Sequence, residues 1–77
     1  MARQAISLTF GPVVKKHRLA KSFSQELLAE KADVHPTYIS LLERGQRIPG
    51  IDVAERIAKA FGLRLSQLIA EGERSIR

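Results

Sequence analysis

The chain has 77 residues, with 13 Lys or Arg against 8 Asp or Glu, so its formal net charge is +5 and its pI is about 10.3. It has no cysteine, which excludes disulfides and thiolate metal ligands and fits a reducing cytoplasm. No apolar run approaches the roughly 18 residues that a membrane-spanning helix needs, and the N-terminus has no secretory-signal pattern. We therefore expect one small cytoplasmic domain over residues 1–77, with its core over about residues 8–70.

The basic surplus is concentrated in residues 1–31, where six Lys or Arg side chains face two Glu. Such a surplus indicates a polyanionic partner, most often nucleic acid. A solvated basic face that binds nothing is an equal alternative on charge alone.

The first two predicted helices lie in this basic part. One is expected from Phe10 to Ala20, capped by Thr9, with Pro12 in the opening turn, where a missing N–H costs nothing. Ser24 is expected to cap the second helix, although the capping box is incomplete. The inward positions of the two helices are Phe10, Val14, His17, Leu28 and Ala29.

Three further helices are predicted. Pro36 opens the third, which ends at Arg44 before the C-terminal cap residue Gly45. Pro49-Gly50 breaks the chain before a fourth helix that Asp52 caps or opens and that ends near Phe61. A short fifth helix runs from Gln67 to Ala70 with Ser66 as its cap, and the tail from Gly72 is expected to fray. The fold class is therefore all-α, a compact bundle of five helices.

The second and third helices are separated by about three or four residues, so they should cross steeply as a helix-turn-helix over about residues 24–44. In that unit the first helix braces the second, which presents its opening residues to base edges in the major groove.

The residues of this region and of the chain beyond it form a recognisable set: Ser24-Gln25, Leu28-Ala29, Val34, Ile39, Leu42-Glu43-Arg44-Gly45, Pro49, the run from Ile57 to Gly62, and Leu68. From Phe10 to Ile69 the chain resembles the Cro/cI-type (XRE) helix-turn-helix repressor domain. The resemblance implies a lambda-repressor-like five-helix bundle that binds double-stranded, pseudo-palindromic operator DNA as a homodimer.

Two positions depart from the family pattern. Asp33 stands where the turn usually carries glycine, and aspartate tolerates left-handed backbone better than most residues. Pro36 stands where the family commonly has a polar, base-reading side chain, so part of the direct readout must lie elsewhere.

The resemblance implies a DNA-binding face on and around the third helix. Gln25, Arg44 and Gln46 match backbone-contacting positions, which orient a protein without specifying sequence, and the neighbouring Arg47 is a candidate to join them. Outward Thr37 and Leu41 are candidates for base contacts, Leu41 through a thymine methyl. The full predicted set is Gln25, His35, Pro36, Thr37, Tyr38, Ser40, Leu41, Arg44, Gln46 and Arg47. For each, the alternative is an ordinary solvated or core-edge side chain.

Other positions are predicted to be structural. The resemblance pairs Arg18 with Glu43 in a partly buried ion pair. His17 is expected to be a packed core histidine, because no ligand partner stands at metal-binding spacing. The predicted dimer interface lies in the C-terminal third, at Leu63, Leu65, Leu68, Ile69 and Ile76, although closing the monomer core is the alternative for the leucines and Ile69.

No nucleophile motif, glycine-rich phosphate loop or paired carboxylates indicate an enzyme. No cofactor, metal, small-molecule ligand or membrane partner is expected. The main alternative to transcriptional regulation is a helix-turn-helix interaction module, an antitoxin or co-activator adaptor, in which DNA binding is secondary.

Overall fold

The computed structural model describes residues 2–74, with side chains from residue 9 onward, and this part of the chain contains five helices and no strand. The helices are α1 (Ala2–Ala20), α2 (Gln25–Ala32), α3 (Pro36–Glu43), α4 (Ile51–Ala60) and α5 (Leu65–Arg74). The predicted all-α fold is confirmed. None of these helices combines the length and the apolar character that crossing a bilayer requires.

The start of α1 was predicted wrongly. The helix begins at Ala2, so Thr9 and Pro12 lie in its interior. A proline does not always end a helix, and the residues before Pro12 include Ala, Arg, Gln and Leu, which favour helix. Pro12 is also exposed, so its ring does not displace the core.

Both ends of α2 are capped as the sequence predicts. Ser24 Oγ accepts a hydrogen bond from the Leu27 N–H at 3.0 Å, which satisfies one of the free donors at the start of α2. At the other end Asp33 takes the left-handed conformation, with φ 58° and ψ 48°. Its backbone N–H reaches the carbonyls of the last turn of α2, so aspartate here serves as the usual glycine would.

The ends of α3 and α4 also follow the sequence signals. Arg44 is the C-cap of α3, and Gly45 follows it with φ 74°. Gly50 is the N-cap of α4, which leaves Asp52 in the first turn, where a negative charge is favourable. Gly62 follows α4 with φ 73°, a backbone region that L-residues rarely adopt.

The fifth helix is longer than predicted. It begins at Leu65 and continues to Arg74, so Ser66 lies inside it and residues 72–74 are helical. Gly72 is buried, and a Cβ there would lie 3.0 Å from Thr9 Oγ1. Close packing of α5 on α1 therefore outweighs the low helix propensity of glycine. Residues 75–77 lie outside the described part.

The core lies where α1 packs on α3 and α5 and where α2 packs on α3 and α4. A Cβ at Gly11 would lie 2.1 Å from the Leu42 carbonyl oxygen, so α1 can approach the end of α3 this closely only at a glycine. Six large side chains are almost completely buried: Val14, Leu28, Ile39, Leu42, Ile57 and Leu68.

Candidate nucleic-acid interface

The buried side chains of α3 fix which face of the helix is turned outward. Ile39 and Leu42 are fully buried, while Thr37 is exposed and Tyr38, Ser40 and Leu41 are half-buried. Thr37 therefore lies on the outside as predicted. Tyr38 and Leu41 project less far than expected, and the Tyr38 ring packs against the core.

The first turn of α3 begins at an exposed histidine followed by a proline. His35 is the N-cap, and its Nδ1 accepts a hydrogen bond from the Thr37 N–H at 3.0 Å. Pro36 occupies the first helical position, where the lost N–H has no helical partner in any case. The sequence predicted Pro36 at this position but not the capping role of His35.

The turn after α3 folds back against the helix. The Arg47 guanidinium carbon lies 5.0 Å from the centre of the Tyr38 ring, within the range of a cation–π contact. The Arg44 Nε donates to the Ser40 carbonyl at 3.3 Å. Arg44, Gln46 and Arg47 are all exposed, so this turn adds two cations and an amide beside the outward face of α3.

A buried ion pair connects α1 to the end of α3. The Arg18 guanidinium meets the Glu43 carboxylate at 2.6 Å (Nε to Oε2) and 3.2 Å (Nη2 to Oε1). Its Nη1 also donates to the Phe23 carbonyl at 2.8 Å. The structure thus brings the two predicted partners together, with side-chain exposures of only 10% and 3%.

The start of α2 joins the same network. The half-buried Gln25 side chain donates through Nε2 to Glu43 Oε1 at 3.1 Å. This bond holds the N-terminus of α2 beside the C-terminus of α3. Gln25 is therefore oriented by α3. Because the positive charge of Arg18 balances that of Glu43, this carboxylate does not repel a polyanion.

His17 has a carboxylate partner that the sequence did not reveal. Its Nε2 lies 2.6 Å from Glu71 Oε1, and Lys16 Nζ lies 3.1 Å from Glu71 Oε2. The hydrogen bond from His17, followed by that from Lys16, holds the pKa of Glu71 below its ordinary value despite partial burial. The predicted fifth helix ends at Ala70, so the sequence does not indicate this role of Glu71. Among the described residues, no group of three or more His, Asp or Glu could hold a metal ion.

The predicted dimer residues divide into core and surface. Leu68 is fully buried and belongs to the monomer core, so it was wrongly included. Leu63 and Leu65 are half-buried against that core, Ile69 is exposed, and Ile76 lies outside the described residues. The predicted interface did not include Ile48 and Ile51. They are 68% and 74% exposed and line one apolar groove with Phe10, Leu65 and Ile69.

Comparison with known proteins identifies the family. A family model described as helix-turn-helix matches residues 14–68. Control protein C.BamHI of Bacillus amyloliquefaciens is 48% identical over 65 residues, which span 83% of this chain and 80% of that protein. The immunity repressor protein of Bacillus phage phi105 is 31% identical over 83% of this chain but only 44% of its own length.

A solved structure has the same fold. The restriction-modification controller protein C.AhdI from Aeromonas hydrophila superposes with a TM-score of 0.77 at 31% identity, over 80% of this chain and 94% of that one. This chain belongs to the XRE-type helix-turn-helix family. It is a DNA-binding transcription regulator, and α2 and α3 form the helix-turn-helix.

Proposed function

We propose that this protein regulates transcription by binding a pseudo-palindromic operator as a homodimer, with α3 of each copy in the major groove. The similarity to C.BamHI and C.AhdI favours a controller of a restriction–modification system. A cytoplasmic location follows from this role. The observation that carries the proposal is the outward face of α3, where Thr37 is exposed beside the exposed cations Arg44 and Arg47.

Different side chains of the proposed face suit contacts to phosphates and contacts to bases. Arg44, Gln46 and Arg47 follow the end of α3, and Gln25 stands at the start of α2, so these side chains flank the helix and suit contacts to the DNA backbone. Thr37 and Leu41 lie along α3 itself and suit base edges and thymine methyl groups. Tyr38 and Ser40 stand beside them, and Tyr38 is steadied by Arg47.

The proposed dimer surface is the apolar groove lined by Ile48, Ile51, Leu65 and Ile69, together with Phe10. We propose a second copy of this chain as its occupant. Arg47 lines the groove and also covers the Tyr38 ring on the DNA-binding face. The groove therefore lies next to the proposed DNA-binding face. We expect two copies joined here to place their α3 helices for two half-sites about one helical turn apart.

The DNA-binding face can be tested with duplexes selected from a random pool. Thr37→Ala should change the selected sequences, with a loss of about 1–3 kcal/mol at one base position. Arg44→Ala should weaken binding to all sequences about equally and make the dependence of log affinity on log salt shallower by about one unit. Lys59→Ala removes an exposed cation of α4 outside this face and serves as the control.

Unchanged selected sequences for Thr37→Ala, together with unchanged affinity for Arg44→Ala, would contradict the proposed face. If the protein is an interaction module with secondary DNA binding, the unmodified protein should already lack strong, salt-dependent binding to any duplex.

A further inference from the structure

The N-terminus of α3 carries an unusual cap. His35 is exposed, and its Nδ1 accepts the Thr37 N–H at 3.0 Å. Among the side chains that the structure describes, none bonds to its other ring nitrogen, Nε2. One nitrogen of this ring is therefore occupied by the helix, and the other is available.

The hydrogen bond at Nδ1 fixes the chemistry at Nε2. A ring nitrogen that accepts a hydrogen bond has no proton, and a neutral imidazole carries one proton on the other nitrogen. The capped form of His35 is therefore the Nε2–H tautomer. It presents a single N–H donor at the start of α3, the helix that is proposed to enter the major groove.

Pro36 enforces this arrangement through the backbone. A residue that precedes proline is restricted to extended conformations, and His35 has φ −73° and ψ 145°, the conformation of an N-cap. Pro36 itself has no side-chain donor, so in the opening turn of α3 the ring of His35 supplies one directly before it.

We infer that His35 performs two tasks with its two ring nitrogens: Nδ1 caps α3, and Nε2–H donates a hydrogen bond to an acceptor oxygen or nitrogen of the DNA. This inference rests on the proposed function, since it requires α3 to enter the major groove. His35 is then both a positioning residue for the helix and a DNA contact at the start of α3.

Three substitutions separate the two tasks. In His35→Asn the amide oxygen can replace Nδ1, and asparagine is among the best N-cap residues, but nothing reaches the position of Nε2. His35→Gln reverses this, because its longer side chain carries an N–H toward the position of Nε2 and caps poorly. His35→Ala removes both groups. The measurements are the thermal midpoint of unfolding and the affinity for the selected duplex.

His35→Asn should keep the thermal midpoint of the unmodified protein and bind DNA about tenfold more weakly, since a donor to a charged or strongly polar acceptor is lost. His35→Ala should lose both thermal stability and affinity. His35→Gln should have the lower midpoint of the alanine variant and bind more tightly than it. A uniform loss over all sequences identifies a phosphate as the acceptor, and a loss confined to one base position identifies a base edge.

The tautomer can be observed without DNA. A two-bond 1H–15N spectrum of the imidazole rings in the folded protein, recorded at about pH 8 where histidine is mainly neutral, should show His35 with its proton on Nε2. A proton on Nδ1, or a His35→Ala variant as stable as the parent, would overturn the capping role. A His35→Asn variant with full affinity would overturn the DNA contact.

Failure of the proposed function can be distinguished from failure of the inference about His35. If Arg44→Ala also left affinity unchanged, or the unmodified protein bound no duplex, the DNA-binding face itself would be wrong and the contact from His35 with it. If Arg44→Ala weakened binding and His35→Asn did not, only the inference about His35 would fail.

Discussion

At the scale of single residues, the Arg18–Glu43 pair shows how this small domain accommodates buried charge. The carboxylate of Glu43 receives hydrogen bonds from Arg18 and from Gln25. No buried side-chain nitrogen or oxygen among the described residues lacks a hydrogen-bond partner. Complete hydrogen bonding of these groups matters because a buried charge without a partner destabilises the fold far more than an intact pair stabilises it.

We predict strong coupling between these two side chains. Arg18→Met or Glu43→Gln alone should lower the free energy of unfolding by about 3 kcal/mol, because each leaves the other group buried without its charge partner. The double variant should lose much less than the sum. The measurement is a double-mutant cycle in urea.

The Asp52–Arg56 pair on α4 provides the matched control. It is more exposed and longer, at 3.8 Å, so its cycle should give at most about 0.5 kcal/mol. Equal coupling energies for the two pairs would mean that burial adds nothing to the Arg18–Glu43 interaction.

The sequence predicted some of these residues and not others, for reasons of distance along the chain. Caps are local, so Ser24 and the left-handed Asp33 could be predicted from their neighbours. The carboxylate that meets His17 comes from the opposite end of the chain, and no local pattern marks it. The tight approach of Gly11 to Leu42 is likewise a property of packed helices rather than of either segment.

At the scale of whole helices, local sequence signals predicted the wrong length for α5. The sequence predicts a frayed tail from Gly72, because glycine is a poor helix former. In the structure the glycine lets α5 pack closely on α1, and the helix continues through Glu71, which reaches His17 and Lys16. A tertiary contact therefore decided the length of the helix.

This contact predicts a specific acid sensitivity. The folded-state pKa of Glu71 is lowered, first by the hydrogen bond from His17, and so lies below the unfolded-state value of about 4.3. The charged carboxylate therefore stabilises the fold above about pH 5, and this contribution is lost as the pH falls through the folded-state pKa. Urea unfolding at several pH values measures it.

Glu71→Gln should be less stable than the parent at about pH 7 and should converge with it as the pH falls through the lowered folded-state pKa of Glu71, below which both carry a neutral side chain. Glu73→Gln is the control, since Glu73 is an exposed carboxylate on the same helix. A stability difference for Glu71→Gln that stayed constant across this pH range would show that the charge of Glu71 contributes nothing.

At the scale of the whole molecule, the fold leaves an apolar groove uncovered beside the proposed DNA-binding face. Ile48 precedes α4 and Ile51 is its first residue. Ile69 lies on α5 with 38% of its surface exposed. The sequence predicted an apolar surface in the C-terminal third. It could not predict that Leu68 turns inward, or that the loop before α4 joins α5 in the groove, because both depend on how the helices pack.

The dimer proposal predicts that a charge in this groove separates the copies. Ile51→Glu places a carboxylate in the first turn of α4, where the helix dipole favours it, so the monomer fold should survive. Burying that charge against a second copy should weaken the dimer by at least about tenfold. Ile69→Glu should act in the same way. Sedimentation equilibrium at several concentrations gives the dissociation constant.

Leu19→Glu is the matched control, because Leu19 is a 58% exposed apolar side chain on α1 that does not line the groove. It should leave both the dimer and its binding to a palindrome unchanged. Ile51→Glu should bind a single half-site nearly as well as the parent and lose the gain that two half-sites about 34–36 Å apart provide. A parent protein that is monomeric at tens of micromolar and gains nothing from a palindrome would contradict the proposal, whereas a dimer weakened equally by Leu19→Glu would mean that its interface lies elsewhere.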